Sequence, residues 1–572
     1  MGGGIGPMAS CGRGCRFTGL LLALAAGAAS CCKVKPEKFR GDADREVYHI
    51  LSVQQAKVLG TSAGFSIEPA SASALARFAA PMGPAASEKP LSAADVEGMD
   101  KGNGLPPQEG VVRLALRDSL ELAARHSRDY QTRKEDLYLA ALALTLERFR
   151  WKPQWSGTLA ANATDSPGST SAGVGSNFSV SRLLDLGGQV TASLATDLLR
   201  FSTGDPRTTA TSLLAFEYLQ PLCRRSGRLV AREALTQAER DVVYAIRTFE
   251  RFRRSFCVDV TSGYYRVLQQ RDTVMNQWSN YKRIRQSRVD AEKLEKEGEM
   301  PPLQVDQTRQ DELRAEANWV RAARQYREQL DEFKVLLGLP AEAHVEFDPT
   351  EVERLREAGL RDVGLSPETA VATALGRRLD LLTAVDRLAD AERAVAIAAN
   401  GLQPDVDLKL AASVPTKEPT QFLRFEPSRG TYAASLTAEL PLRRVAERNT
   451  YRQALVGLER AQRAAEDLRE QVKLAVRQAW RTLQEATASY RIERDSVALA
   501  QQRERASREL IRLGEATARD LLEANEALVE AQNALTRALV DHALARLALW
   551  RDTELLRVSE DGVWQEVSDG NP

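Results

Sequence analysis

The sequence predicts a mainly α-helical protein with a small β part, in which one order of elements occurs twice. Three observations lead to this prediction: an ungapped internal repeat, two proline-free helical stretches of about seventy residues, and short segments in which apolar and polar residues alternate. The 78 basic and 78 acidic side chains give zero net charge. This balance argues against nucleic acid or an anionic membrane surface as the main partner.

The internal repeat aligns 119–162 with 370–413 and needs no gap. The alignment superimposes Pro153 on Pro404 and Asp129 on Asp380. Sequence identity between the copies is low, but the order of elements also matches, so chance is a poor explanation.

Each repeat is predicted to have four parts: a helix, a pair of strands, a very long helix and a shorter returning helix. The first helices are predicted at 116–150 and 367–400, the strands at 155–164, 209–219, 405–412 and 431–440, the long helices at 224–296 and 443–512, and the returning helices at 303–337 and 520–553. Four prolines are candidate breaks between helix and strand: Pro153, Pro404, Pro221 and Pro441.

The element lengths indicate an extended architecture. A rise of ~1.5 Å per residue gives the long helices roughly 105–110 Å, which nearly equals the two shorter helices of a repeat placed end to end. That arithmetic suits the wall of a tube better than a globular bundle.

The strands have the length that a tilted strand needs to cross a bilayer, about 9–11 residues. One face is apolar and the other small and polar, as expected between lipid and water. Four strands cannot close a barrel, and an open edge in lipid leaves backbone groups unpaired, so the chain is expected to oligomerise. A small soluble sheet capping a helical rod is the alternative. Residues 165–208 either add strands or form an external loop, and the sequence leaves this open.

The N-terminus is typical of an export signal, predicted at 1–30. Arg13 and Arg16 precede a short apolar run that ends in Ala28-Ala29-Ser30-Cys31, a sequence that resembles a bacterial lipobox. Cys31 is therefore the predicted lipidation site, with ordinary signal-peptidase cleavage near Ala29 as the alternative. Residues 31–110 are predicted to be a lipid anchor and flexible tether, with one amphipathic helix at 42–58.

The turns between long and returning helices carry a family resemblance. Residues 513–522, Leu-Gly-Glu-Ala-Thr-Ala-Arg-Asp-Leu-Leu, place a glycine before an Asp and two aliphatic residues, and 298–305 repeat this more loosely. Over about 111–555 the chain resembles the TolC family of outer-membrane efflux proteins. The resemblance implies a first repeat at 111–348, an equatorial linker at 349–366, a second repeat at 367–555 and a C-terminal tail at 556–572.

The resemblance also implies a function. The chain would form a homotrimer, with four strands per protomer closing a twelve-stranded transmembrane β-barrel and the helical hairpins forming an α-barrel tunnel in the periplasm. This lipid-anchored outer-membrane channel would passively conduct substrates of a tripartite efflux or type I secretion system. Its partners would be a periplasmic adaptor (membrane fusion protein), an inner-membrane pump and outer-membrane lipid.

Candidate site residues lie at the helix turns. Asp520 and Glu523 are one helical turn apart, and the resemblance implies that they narrow the tunnel tip. A threefold ring of carboxylates would favour cations and raise some of their pKa values. A helix-capping role for Asp520 is the alternative. Docking of the adaptor is expected at the tip turns, Gly298, Glu299, Gly514 and Glu515.

The sequence contains no catalytic constellation, so no enzyme activity, cofactor or metal is predicted. His49, His126, His344 and His542 are isolated, and no phosphate-binding glycine loop or nucleophile elbow occurs. The alternative function is a periplasmic, lipid-anchored coiled-coil adaptor or structural rod without a pore. An adaptor would need one helical hairpin flanked by small β-domains, whereas this chain predicts two hairpins.

Overall fold

A computed structural model describes residues 35–60, 64–68, 112–166, 169–201, 208–298, 300–343, 345–361, 363–417, 423–440, 442–513 and 515–565. The predicted signal peptide and Cys31 lie outside these residues, as does most of the predicted tether. Glu299, Gly514 and Pro441 lie outside them too.

The described chain is mainly helical. Its α-helices are α1 (Pro36–Leu59), α2 (Leu116–His126), α3 (Arg128–Arg150), α4 (Arg228–Ala231), α5 (Glu233–Lys296), α6 (Pro302–Leu336), α7 (Thr350–Ala358), α8 (Pro367–Arg377), α9 (Leu379–Asn400), α10 (Val445–Arg512) and α11 (Ala518–Asp552). Its strands are β1 (Val112–Leu114), β2 (Gln154–Ser166), β3 (Ser169–Leu183), β4 (Gln189–Phe201), β5 (Thr208–Pro221), β6 (Val345–Phe347), β7 (Asp405–Pro415), β8 (Thr431–Glu439), β9 (Arg557–Val558) and β10 (Trp564–Gln565). Among the described residues, no helix is both long and apolar enough to cross a membrane.

The long and returning helices match the sequence prediction closely. The long helices α5 and α10 have 64 and 68 residues, and the returning helices α6 and α11 have 35 each. The predicted start of the first long helix, at residue 224, is wrong by nine residues. Arg225 and Gly227 have positive φ angles of 63° and 100°, so helical geometry begins only with α4, and Arg232, with ψ of 1°, separates α4 from α5.

The first helix of each repeat is broken once, which the sequence did not predict. Ser127 separates α2 from α3 and Arg378 separates α8 from α9, each with extended backbone angles. The internal repeat aligns these two residues with each other. Neither is glycine or proline, so the break has no signal in local composition. Its recurrence at the same place makes it a property of the repeated unit.

The principal sheet is antiparallel and six-stranded, in the order β2-β3-β4-β5-β7-β8. The four strands predicted from alternation are present, and the structure decides the question of residues 165–208. Most of that segment forms β3 and β4, which lie in the same sheet between β2 and β5. One chain thus contributes an open sheet with β2 and β8 at its edges.

The chain divides into two compact units. The first, here the sheet unit, comprises Met1–Ser62, Tyr138–Val243 and Arg387–Gln462. It contains the six-stranded sheet and α1, where Val47 and Leu51 are fully buried. The Tyr138 hydroxyl donates to Asp44 of α1 at 2.7 Å. The amphipathic helix predicted at 42–58 lies within α1, which is packed against its surroundings in this unit.

The second, here the hairpin unit, comprises Ala63–Leu137, Tyr244–Asp386 and Arg463–Pro572. Its core includes Val472, Val476 and Leu549, all fully buried. Strands β1 and β6 pair in parallel, and the buried Tyr264 hydroxyl donates to the Leu114 carbonyl at 3.2 Å. These two short strands, helix α7 and the β9-β10 hairpin have no counterpart in the sequence prediction.

Candidate functional site

The strand pairing gives the six-stranded sheet one continuous apolar face. One row of paired residues crosses all six strands and is apolar throughout: Trp155, Val180, Ala192, Phe216, Ala412 and Tyr432. Trp155 is 80% exposed and Tyr432 63% exposed in the single chain. Large exposed apolar surfaces of this kind mark a place where lipid or protein binds.

The opposite face is small and polar. The adjacent row across the same strands consists of Ser156, Ser179, Ser193, Ala215, Ser413 and Thr431. On this face Lys409 forms an ion pair with Glu217 at 2.9 Å, joining a strand of each repeat. The apolar exceptions on this face include Leu183, Leu199, Leu213 and Leu219. The alternation therefore separates an apolar from a polar environment over the whole width of the sheet.

Among the described residues, neither edge of the sheet has a partner strand. Strand β2 has 13 residues and pairs on one side with β3, and β8 has nine and pairs on one side with β7. In the part of the chain that the structure describes, the outer backbone N–H and C=O groups of these two strands face no further strand. Such edges need water or another strand, because unpaired groups in an apolar medium cost several kcal/mol each.

The junction of the sheet with its helices is held by charge. Arg225 donates to Asp405 at 2.8 Å and to Asp407 at 3.1 Å, which ties the end of β5 to the start of β7. Pro153 lies between α3 and β2, Pro404 lies between α9 and β7, and Pro221 is the last residue of β5. The sequence did not single out Arg225, whose left-handed backbone carries no signal in a residue that is not glycine.

The first helix turn follows α5. Gly298 adopts φ of +78°, and its N–H donates to the Glu295 carbonyl at 2.9 Å. A left-handed residue directly after a helix is a common way to end it, and glycine adopts that conformation without strain. Helix α6 then begins at Pro302 without a side-chain cap.

The second helix turn is closed by hydrogen bonds at both helix ends. The Glu515 N–H donates to the Leu510 carbonyl at 2.9 Å, satisfying a carbonyl at the end of α10. At the start of α11, Thr517 is the N-cap and Asp520 is its capping-box partner. Asp520 Oδ2 accepts from the Thr517 N–H at 2.8 Å and from the Thr517 hydroxyl at 2.6 Å. These bonds, with the nearby Arg503 and Arg519 charges, lower the pKa of Asp520.

The structure thus gives Asp520 a capping role, with Thr517 as the cap residue itself. Thr517 is not among the residues predicted from the sequence, although a threonine three residues before an acid at a helix start is a recognisable signal. Glu523 lies one turn further on, where Arg519 Nε donates to it at 3.2 Å. Both carboxylates are therefore engaged with groups of their own chain.

The capping box predicts a pH-dependent turn. Because the folded-state pKa of Asp520 is lowered, its stabilising effect is complete above the ordinary Asp pKa of 3.8 and is lost as the pH falls through the lowered value. We expect Asp520→Ala to speed amide exchange at Thr517 at pH 7, with a difference from the native chain that shrinks below pH 3.8. Glu523→Ala is the control and should leave Thr517 exchange unchanged. Equal exchange in Asp520→Ala and the native chain at pH 7 would contradict the assignment.

Other site chemistry is limited. In the part of the chain that the structure describes, no group of three or more His, Cys, Asp or Glu side chains could hold a metal ion. Of the aromatic residues near the helix-to-strand junctions, Trp155 and Phe216 are exposed on the apolar face. Trp151 instead packs against Arg232, whose guanidinium carbon lies 5.4 Å from the centroid of the Trp151 ring.

Comparison with known proteins identifies the fold by structure alone. No protein-family model matches the sequence, and no curated protein matches it either. Among solved structures, the outer membrane protein VceC from Vibrio cholerae has a TM-score of 0.56 at 16% identity, covering 77% of this chain and 95% of that one. The Campylobacter jejuni CmeC outer membrane channel has a TM-score of 0.57 at 12% identity, covering 77% and 85%.

A third similar structure is the open state of the Neisseria gonorrhoeae MtrE outer membrane channel. Its TM-score is 0.53 at 13% identity, covering 77% of this chain and 88% of that one. These are nearly full-length matches to proteins of one structural kind. By its structure, therefore, this chain has the fold of the outer-membrane efflux channels of the TolC family.

Proposed function

We propose that this chain is the protomer of a trimeric outer-membrane channel, which passively conducts substrates delivered by an inner-membrane pump in a tripartite efflux or type I secretion system. The observation that supports this most directly is the sheet itself. It has an exposed apolar face, a polar face and two edges without partner strands. In lipid, such a sheet is stable only when copies join edge to edge into a closed barrel.

The remaining assignments follow from the same proposal. The sheet forms its share of the membrane barrel, and α5, α6, α10 and α11 form the periplasmic tunnel. The two helix turns, with Gly298, Glu299, Gly514 and Glu515, are the surface for a periplasmic adaptor, and Asp520 and Glu523 line the tunnel tip. Acylation at Cys31 attaches the chain to the outer-membrane lipid. The protein works without enzymatic chemistry, because transport energy comes from the pump.

Planar-bilayer recording tests the proposal. The full chain, purified in detergent, should run as a trimer that dissociates on heating, and it should add discrete conductance steps to a lipid bilayer. Heat-dissociated protein, applied at the same concentration, is the control and should add none. A monomer that stays soluble without detergent and adds no conductance would overturn the channel proposal and favour a rod or an adaptor.

A further inference from the structure

The hairpin formed by β3 and β4 is a full-length part of the sheet. Strand β3 pairs with β2 from Ser181 opposite Gln154 to Ser169 opposite Ser166. Strand β4 pairs with β5 from Gln189 opposite Leu219 to Arg200 opposite Thr208. Both strands therefore run the whole length of their neighbours, whereas the family resemblance implies only four strands per chain.

The turn of this hairpin is seated on the helical end of the sheet. Asp185 accepts from Arg232 at 2.8 Å, and the Gly227 N–H donates to the Leu186 carbonyl at 3.2 Å. Gly187 has φ of +88°, and a Cβ atom there would lie 2.7 Å from the Arg225 carbonyl oxygen. These contacts hold the turn against the segment between β5 and α5, which includes α4. A loop projecting freely from the other end of the sheet would make none of them.

The two faces of the hairpin continue the faces of the sheet. On the apolar face, Phe178 is paired with Leu194, which is paired with Leu214 of β5. Along β4 this stripe runs from Val190 to Leu198 and ends at Arg200; its one polar member, Thr196, shares a hydrogen bond with Ser212 of β5 at 2.9 Å. That is the length of strand that crosses a bilayer, about 9–11 residues. The hairpin thus meets the same requirement as the strands predicted from the sequence.

We propose that β3 and β4 are wall strands of the pore, so that three six-stranded sheets close a barrel of eighteen strands instead of twelve. This inference rests on the proposed channel function. Because barrel diameter grows roughly linearly with strand number, the barrel is about 1.5 times as wide as a twelve-stranded one.

The added wall leaves the added width open. On the polar face, β3 from Ser181 to Asn177 and β4 from Gln189 to Ala195 carry only Ser, Thr, Asn, Gln and Ala. Leu183 lies at the base turn, and Asp197 and Leu199 lie beyond this stretch. No bulky side chain on this stretch fills the lumen. The barrel therefore admits bulky hydrophilic solutes that a twelve-stranded wall excludes, and it selects them by size more than by charge.

Cysteine labelling of adjacent residues tests whether the hairpin is wall. Asn177→Cys and Ser193→Cys place a thiol on the polar face, and Phe178→Cys and Leu194→Cys place one on the apolar face. In trimers reconstituted into vesicles, a charged, water-soluble thiol reagent should modify the first pair and spare the second. A membrane-soluble maleimide should modify the second pair. The native chain, in which Cys223 is half-buried and Cys257 buried, gives the background labelling.

A deletion tests the width. Removing 169–207 leaves 166–168 as a three-residue loop from β2 to β5, a length common in hairpins, and keeps Trp155 on the same face as Tyr218. In electron micrographs of vesicle-embedded trimers, the native barrel should be about 1.5 times as wide as that of the deletion variant. Polyethylene glycols that enter from the barrel side should show a correspondingly larger size limit in the native protein.

The outcomes separate this inference from the channel proposal. Labelling of all four cysteines by the water-soluble reagent, in trimers that conduct, would place the hairpin outside the wall and overturn only the inference. If the membrane-soluble reagent modified none of the four cysteines, the hairpin would lie inside the lumen as a plug. That result too would overturn only the inference. A native chain that forms no pore overturns both. The labelling pattern decides the question even where the deletion variant fails to assemble.

Discussion

Replacing Leu214 by arginine is expected to destabilise the membrane-inserted form by about 2–4 kcal/mol per chain, because a charged side chain near the bilayer midplane must leave water. Leu214 lies at the centre of β5 on the apolar face and is 43% exposed. In a trimer the penalty is incurred three times. The measurement is the fraction of protein that resists protease and runs as a heat-dissociable trimer after mixing with lipid vesicles.

Ala215→Arg is the matched control, one residue further along the same strand. Ala215 faces the other side, between Ser193 of β4 and Ser413 of β7. Arginine there should insert normally and shift ion selectivity of the pore towards anions, because the new charge lines water. If the chain were a water-soluble rod, both substitutions would be tolerated alike. Equal insertion of the two variants would therefore contradict the membrane assignment of the apolar face.

Much of this fold could be predicted because its elements are long and strongly periodic. The proline-free stretches that become α5 and α10 have no competing interpretation, and alternation over nine or more residues specifies a strand and its faces. Because the order of elements occurs twice, each predicted element has a counterpart in the second repeat. Glycine and proline marked the positions of the helix turns and the helix-to-strand junctions, as at Gly298 and Pro404.

The features of the fold that could not be predicted from the sequence depend on tertiary contacts. Ser127 and Arg378 break their helices by adopting extended angles that no local signal requires. Arg225, where the first long helix was predicted to run, has a positive φ and forms ion pairs with Asp405 and Asp407, which are far along the chain. The sequence left open whether 165–208 add strands, because the position of β3 and β4 between β2 and β5 depends on strand pairing. Which strands pair depends on contacts between segments that are distant in the sequence.

A buried charge cluster in the hairpin unit provides the other large expected effect. The Glu554 side chain is 3% exposed and forms ion pairs with Arg254 and, at 3.3 Å, with Arg251. It also accepts a hydrogen bond from the Leu379 N–H at 3.4 Å, directly after the break between α8 and α9. Burial lowers the pKa of both arginines, a sign that their charge is costly in this place. Glu554 therefore offsets the charge of Arg254 and shares that of Arg251 with Asp380, which pairs with Arg251 at 3.3 Å.

Glu554→Ala is expected to lower the free energy of unfolding by about 3–5 kcal/mol, because removing one partner of a buried ion pair leaves the other charge uncompensated. The measurement is the denaturant midpoint of the helical circular dichroism signal, at one protein concentration for all variants. Glu328→Ala is the matched control. Glu328 pairs with Arg324 in the same unit, but their side chains are 55% and 61% exposed. Its loss should cost no more than about 1 kcal/mol.

A double variant distinguishes uncompensated charge from lost packing. Adding Arg254→Ala to Glu554→Ala removes the cation that lost its partner, so the double variant should recover part of the stability that the single variant loses. If the energy came from packing alone, the two truncations would instead add. A single variant no less stable than Glu328→Ala, or a double variant with fully additive losses, would show that Glu554 does not hold this region by neutralising buried charge.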